Sequence, residues 1–422
     1  MVADLFYAIS KNQTDQLTKT NNLQQALSTG QKRIESIDIL RGIAMVIMAL
    51  DHVRDYFHIS ANIDDPLNLA TTTPILFFTR WITHFCAPTF VFLSGVSIYL
   101  QSLRKTKREL SAFLIKRGLW LIFAEFFIIS LAWTFNPFYN FIPFQVIWAI
   151  GISMVILGLL IHLPYKFILA LGLLIVLGHN LLDIPESVEG FKAGFWWDLL
   201  HHGFFAPYEF APNHFAFIVY PFVPWTGLMM LGYCTGIFFT SNYTEGRRRR
   251  VMARIGITLI LLFIAIRFIN IYGDPHAWHT QKNAVLSMFS FIKVHKYPPS
   301  LLYMLITIGP AMLLLSYLEK IENRFTGMMA IYGRTAFFYY ILHIYLIHIV
   351  AAVLFFAKGH TMPEAIKSAP NLPFLFVLPG EGVGLAMVYV IWLAVVIALH
   401  PLCKWYDRYK TRHKEKWWLS YL

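Results

Sequence analysis

The sequence predicts an all-α fold, a polytopic membrane helix bundle of about ten transmembrane helices. Three observations carry this. The 422 residues are 57% hydrophobic and only 14% charged, with a mean hydropathy of +0.55, well away from the balance of soluble domains. Apolar runs long enough to cross a bilayer recur from end to end. The Lys/Arg clusters fall between those runs, as topology signals do.

The expected spans are 37–57, 75–101, 117–136, 144–162, 166–183, 215–240, 254–272, 299–318, 329–357 and 381–402. Short Pro- or Gly-containing turns separate several of them, such as Asn136-Pro137 and His162-Leu163-Pro164. Residues 1–35 are polar and read as a cytoplasmic tail, residues 36–403 as the transmembrane domain, and residues 404–422 as a basic cytoplasmic tail. With the N-terminus inside, cytoplasmic segments hold 24 Lys/Arg and the opposite side six. That bias predicts both termini in the cytoplasm. The Arg247–Arg250 run and the basic C-terminus with Trp417 and Trp418 read as interfacial anchors.

The net charge of +12 is distributed along the membrane edges, so no nucleic-acid partner is expected. The partner it implies is the lipid bilayer. Cys86, Cys234 and Cys403 lie in apolar runs without metal or disulfide spacing and read as small hydrophobes.

The first span holds the densest set of ionisable groups: Asp38, Arg41, Asp51, His52, Arg54 and Asp55. Eleven helical residues are about three turns, which puts Arg41 and His52 on nearly one face about 16 Å apart. Ionisable groups in a membrane helix face a bundle interior or a water-filled cavity and mark function. His52 follows Asp51 and shares a helix face with Asp55, and a neighbouring carboxylate is expected to orient it as a base. The short first loop makes the first two spans antiparallel neighbours and brings His84 towards His52, and Pro88 leaves a backbone carbonyl free nearby. Gly178-His179-Asn180-Leu181-Leu182-Asp183 closes the fifth span with three polar groups. Arg334 is expected to begin the ninth span, which also carries His343 and His348.

No metal site is expected, because no HxxxH or HxxE pair shares a span and the adjacent His201 and His202 point to different faces. No Gly-x-Ser-x-Gly elbow occurs either.

The Asp38-x-x-Arg41-Gly42 and Asp51-His52 pattern resembles the bacterial membrane proteins related to heparan-α-glucosaminide N-acetyltransferase. So do Phe144-Gln145-Val146-Ile147-Trp148-Ala149-Ile150-Gly151, Gly178–Asp183, Tyr220-Pro221-Phe222-Val223-Pro224-Trp225-Thr226-Gly227, Lys296-Tyr297-Pro298-Pro299-Ser300-Leu301 and Gly333-Arg334-Thr335. The resemblance implies acetyl transfer across the bacterial inner membrane, from cytoplasmic acetyl-CoA to an amino or hydroxyl group of an extracytoplasmic sugar or glycan. The lysosomal relative has an asparagine where this chain has His52, and a functional histidine in the following loop, where this chain has His58.

On this reading His52, Asp51, His84 and His58 are the catalytic candidates. Asp38, Arg41 and Arg334 face the acyl-CoA, whose anionic nucleotide end suits the two arginines. Arg54, Asp55, His179, Asn180, Asp183 and His343 are the candidates for the acceptor. Acetyl-CoA is the donor substrate, no metal takes part, and homodimerisation is left open. The competing class is a proton-coupled transporter whose histidines relay protons.

Overall fold

The computed structural model describes residues 34–203, 205–368 and 374–420, so the expected tail at 1–35 lies almost wholly outside them. The chain folds as a helical membrane bundle. Its helices, in order, are α1 (Glu35–Phe57), α2 (Pro74–Ile82), α3 (Cys86–Ser102), α4 (Lys107–Phe123), α5 (Ser130–Thr134), α6 (Val146–Leu160), α7 (Tyr165–Gly178), α8 (Asp183–Glu186) and α9 (Phe195–Leu200). There follow α10 (Phe222–Thr235), α11 (Glu245–Ile269), α12 (Ala284–Ile292), α13 (Leu301–Leu318), α14 (Arg324–Arg334), α15 (Ala336–Ala357), α16 (Met362–Ser368) and α17 (Leu385–Arg412).

Among the described residues seven segments are long and apolar enough to cross a membrane, so this is a multi-pass integral membrane protein. They are Pro74–Ser102, Tyr165–Glu186, Phe222–Phe239, Glu245–Ile269, Leu301–Leu318, Ala336–Ala357 and Leu385–Arg412. The other three expected spans are helical as well. α1 carries six charged residues, α4 and α5 join through a π-helical turn at Ala124–Ile129, and α6 is shorter. α17 runs unbroken past residue 403 to Arg412.

The all-α expectation needs one amendment. Strands β1 (Phe141–Phe144), β2 (Ala206–Ala211) and β3 (His214–Ile218) form a small sheet in the order β1-β3-β2. β1 pairs with β3 in parallel and β2 pairs with β3 antiparallel. Residues 214–218, expected to open a span, are therefore sheet, and the helix begins at Phe222. Alternating aromatic residues such as Phe215 and Phe217 favour an extended chain.

α1 is the axis. It is buried on several sides and contacts α3, α13, α14, α15 and α17. α7, α11 and α17 stand outside and turn Leu174, Ile257, Leu261 and Ile397 outward, as lipid-facing helices do. Glycines permit the closest crossings. A Cβ on Gly42 would lie 1.8 Å from the Met329 carbonyl oxygen, and one on Gly333 would lie 1.8 Å from that of Asp38. Gly95 and Gly232 make the same kind of contact between α3 and α10, each 2.1 Å from a carbonyl of the other helix. Small residues let membrane helices approach backbone to backbone.

Gly333→Ala is expected to destabilise the bundle by about 1–3 kcal/mol, the usual cost of overpacking. Gly327→Ala on the same helix, where nothing lies within 4 Å of the added methyl, should leave the detergent unfolding midpoint at or above that of the parent. Equal losses from the two would contradict the close crossing.

Candidate functional site

A cavity of about 950 Å³ opens at the end of the bundle that carries Arg41. Its mouth is basic, with Arg41, Lys105, Arg117, Arg334, Lys410 and Lys414 around it. Deeper, the walls become apolar: Met45, Met48, Ile147, Ile150, Phe337 and Tyr340.

The α1–α14 crossing sets the mouth. Arg41 donates to Asp38 Oδ1 at 3.1 Å, to the Gly333 carbonyl at 3.4 Å and to Ser97 Oγ on α3 at 3.0 Å. Asp38 is buried and holds the arginine in place. Arg334 differs from expectation: it ends α14 and does not begin the next span. At Thr335 both the amide N–H and the hydroxyl bond to the Ile331 carbonyl, at 3.1 and 2.8 Å, and such back-bonding bends helices. The Arg334 guanidinium pairs in bidentate fashion with Asp407 of α17, at 2.8 and 2.7 Å. The basic rim is thus tied to the C-terminal helix.

Behind the cavity wall formed by Met48 and Tyr340 stands a histidine pair. His52 Nδ1 lies 2.7 Å from His343 Nε2, with the rings stacked at 5.0 Å. His343 Nδ1 lies 2.9 Å from the Tyr339 carbonyl. A carbonyl only accepts, so His343 carries its proton on Nδ1 and presents a lone pair on Nε2. His52 then donates from Nδ1 and keeps a lone pair on Nε2. Met48, one turn before His52, and Tyr340, whose ring is 6.2 Å from that of His52, both line the cavity. Trp133 packs edge-on against His52 at 4.8 Å. The arrangement is a basic mouth, an apolar throat and, beside it, a histidine pair whose hydrogen-bond direction a backbone carbonyl sets.

Asp51 does not orient His52. Neighbouring residues on a helix point about 100° apart, and the Asp51 carboxylate turns to Arg80 at 2.6 Å and Arg54 at 2.8 Å. Arg54 also pairs with Asp55. These four form an ionic cluster beside the histidine pair, within electrostatic reach of Lys296.

His84 does not meet His52 in a hydrogen bond either. It sits in the 3-10 turn Thr83–Phe85, its ring against Tyr303 at 5.4 Å. Pro88 lacks the N–H that would bond the His84 carbonyl, and the Tyr303 hydroxyl donates to that oxygen at 2.8 Å. His58 leaves α1 as its C-terminal cap and contacts Ser60 Oγ at 2.8 Å through Nδ1.

His179, Asn180 and Asp183 form a separate group at the far end of α7. His179 Nδ1 is 3.1 Å from His201 Nε2, and His201 Nδ1 is 2.8 Å from Glu186 Oε1. Asn180 donates to Asp183 Oδ2 at 2.7 Å and accepts from the Leu301 amide of α13 at 2.8 Å. Asp183, Glu186 and His201 bring ligand-capable atoms within 4.8 Å of one another. A search for ligand pairs within one span misses this grouping, since His201 arrives from a different element.

Sequence reasoning also passed over Glu125. It is fully buried in the π-helical turn and accepts from the Trp148 amide at 2.9 Å, capping α6. A lone carboxylate inside an expected span was the available signal.

The model of the family described as heparan-alpha-glucosaminide N-acetyltransferase, catalytic, matches residues 33–273. No curated protein matches the chain.

Arg80→Ala leaves Asp51 with Arg54 alone and should cost about 1–3 kcal/mol, between surface and fully buried ion pairs. The double variant Asp51→Asn/Arg80→Met should regain part of it. Additive losses in the unfolding midpoint would show that the pair is uncoupled.

Proposed function

This chain belongs to the heparan-α-glucosaminide N-acetyltransferase catalytic family, and on that premise we propose that it moves an acetyl group from cytoplasmic acetyl-CoA to an extracytoplasmic sugar or glycan. The family is one of acetyltransferases. The observation that carries the finer reading is a cavity with a basic mouth whose walls include Met48 and Tyr340, the neighbours of the His52–His343 pair.

The excess of Lys/Arg on the Arg41 side supports a cytoplasmic mouth, with both termini on the same side. Arg41 and the rim lysines are the phosphate partners, because guanidinium and ammonium groups match a nucleotide's anionic end. Asp38 orients Arg41. Arg334 joins this set by exchanging Asp407 for a phosphate. The apolar throat takes the uncharged pantetheine arm, and acetyl-CoA supplies the activated thioester at the depth of Tyr340.

His52 Nε2 accepts the proton of the acceptor's amino or hydroxyl group as that group attacks the thioester carbonyl. A new C–N or C–O bond forms, the C–S bond breaks, and His52 returns the proton to the departing thiolate. Atoms and charge balance without a covalent enzyme intermediate. His343 holds the Nδ1 proton of His52 in line, so that the imidazolium formed during attack keeps a hydrogen-bond acceptor. The ionic cluster of Asp51, Arg54, Asp55 and Arg80 borders the acceptor's approach from outside. The membrane in this reading is the bacterial inner membrane.

His52→Ala is expected to lower kcat about 10²–10⁴-fold while acetyl-CoA binding, read by isothermal titration, stays within a few-fold of the parent. Arg41→Ala should instead raise the KM for acetyl-CoA about tenfold or more, the weight of one charge-assisted contact. His343→Gln should reduce kcat with little change in KM. A folded parent that binds no acetyl-CoA, or that moves substrate across sealed vesicles without any coenzyme, would overturn the reading in favour of transport.

A further inference from the structure

The far end of α7 carries a charge arrangement that the acetyl-transfer reading does not use. Asp183 and Glu186 belong to one short helix, α8, and their carboxylates lie within 4.8 Å of each other and of a His201 nitrogen. Among the described residues no Lys or Arg pairs with either carboxylate; their ionic contacts are with His201 alone. Two carboxylates this close repel unless a cation or a proton stands between them.

The histidines are arranged to favour the cation. Glu186 Oε1 accepts from His201 Nδ1 at 2.8 Å, which leaves the lone pair of His201 on Nε2. That nitrogen lies 4.0 Å from Asp183 Oδ1 and 3.1 Å from His179 Nδ1. Metal–nitrogen bonds of about 2.0 Å at a tetrahedral angle set two ligand nitrogens a little over 3 Å apart. His179 is 4% exposed and points Nδ1 at this spot. The surroundings fix the ligands in place. Asn180 holds the other oxygen of Asp183 at 2.7 Å, and Trp197 Nε1 holds Glu186 at 2.8 Å. Metal-binding side chains are characteristically oriented by such outer partners.

We propose that Asp183, His201 and His179 bind a divalent transition-metal ion of the zinc class at the end of the bundle away from Arg41, with Glu186 holding His201 through its Nδ1–H. The mixed imidazole and carboxylate set suits Zn²⁺ better than Mg²⁺ or Ca²⁺. The ion neutralises the carboxylate pair and ties α8 to the residue that caps α9. Through Asn180 and the Leu301 amide it also steadies the start of α13. The site is independent of the acetyl-transfer reading, because it makes no use of the cavity or of His52.

The test uses the full chain purified in detergent, stripped with a chelator and titrated with ZnCl₂. About one zinc per chain by mass spectrometry, a raised unfolding midpoint on zinc addition, and a visible absorption band on Co²⁺ substitution are expected. Asp183→Asn and His201→Gln should each weaken zinc uptake tenfold or more. His202→Gln, whose ring pairs with Asp198 at 2.6 Å, should bind zinc as the parent does. Should His201→Gln fail to fold, Asp183→Asn carries the test. Folded parent protein that takes up no zinc and shows no shift in midpoint holds only a histidine–carboxylate hydrogen-bond chain, and overturns the proposal. Equal loss of zinc in His202→Gln overturns it too.

Discussion

The crossing of α1 with α14 is the contact on which the rest of this structure hangs. Gly42 and Gly333 let two backbones meet where any side chain would collide with a carbonyl. Arg41 can then reach across to the Gly333 carbonyl and to Ser97 while Asp38 holds it from its own helix. Arg334 emerges one residue later, at the helix end that Thr335 bends, and its partner Asp407 draws in α17. The basic rim of the cavity is a consequence of that single approach. In a bilayer, where apolar surface gains little by leaving lipid, close packing of this kind does much of what hydrophobic burial does in water.

Polar groups within the bundle are handled in distinct ways. The arginines and aspartates beside His52 neutralise one another, which keeps their charge out of lipid. The histidine pair is instead ordered by a backbone carbonyl, which sets the direction of the hydrogen bond from His52 to His343. Glu125 caps a helix that begins inside the bundle, and the Tyr303 hydroxyl satisfies the carbonyl that Pro88 leaves open. Both of these exposed backbone groups are matched by a named partner, as a medium without water favours.

The histidines illustrate how far residue spacing carries. Six of the first span's polar groups were marked from their position alone; Asp38 and Arg54 are buried, and Arg41, Asp51, His52 and Asp55 are partly so. The expectation that Asp51 orients His52 failed for a geometric reason, since sequence neighbours on a helix face different partners. His343, placed among acceptor contacts, is the residue that touches His52, 291 positions away.

The sequence by itself determined the helical membrane architecture, the family, and the concentration of ionisable residues in the first helix. Those are properties of composition, run length and local motif, and they survive without knowing what packs on what. Tertiary structure alone decided the pairings: His52 with His343, Asp51 with Arg80, Arg334 with Asp407, and His201 with Glu186. It also decided that residues 141–144 and 206–218 contribute a sheet and that Arg334 closes a helix. Pairing across a bundle depends on which faces meet, and those faces are set by backbone crossings such as Gly42 against Gly333, which no periodicity in one segment records.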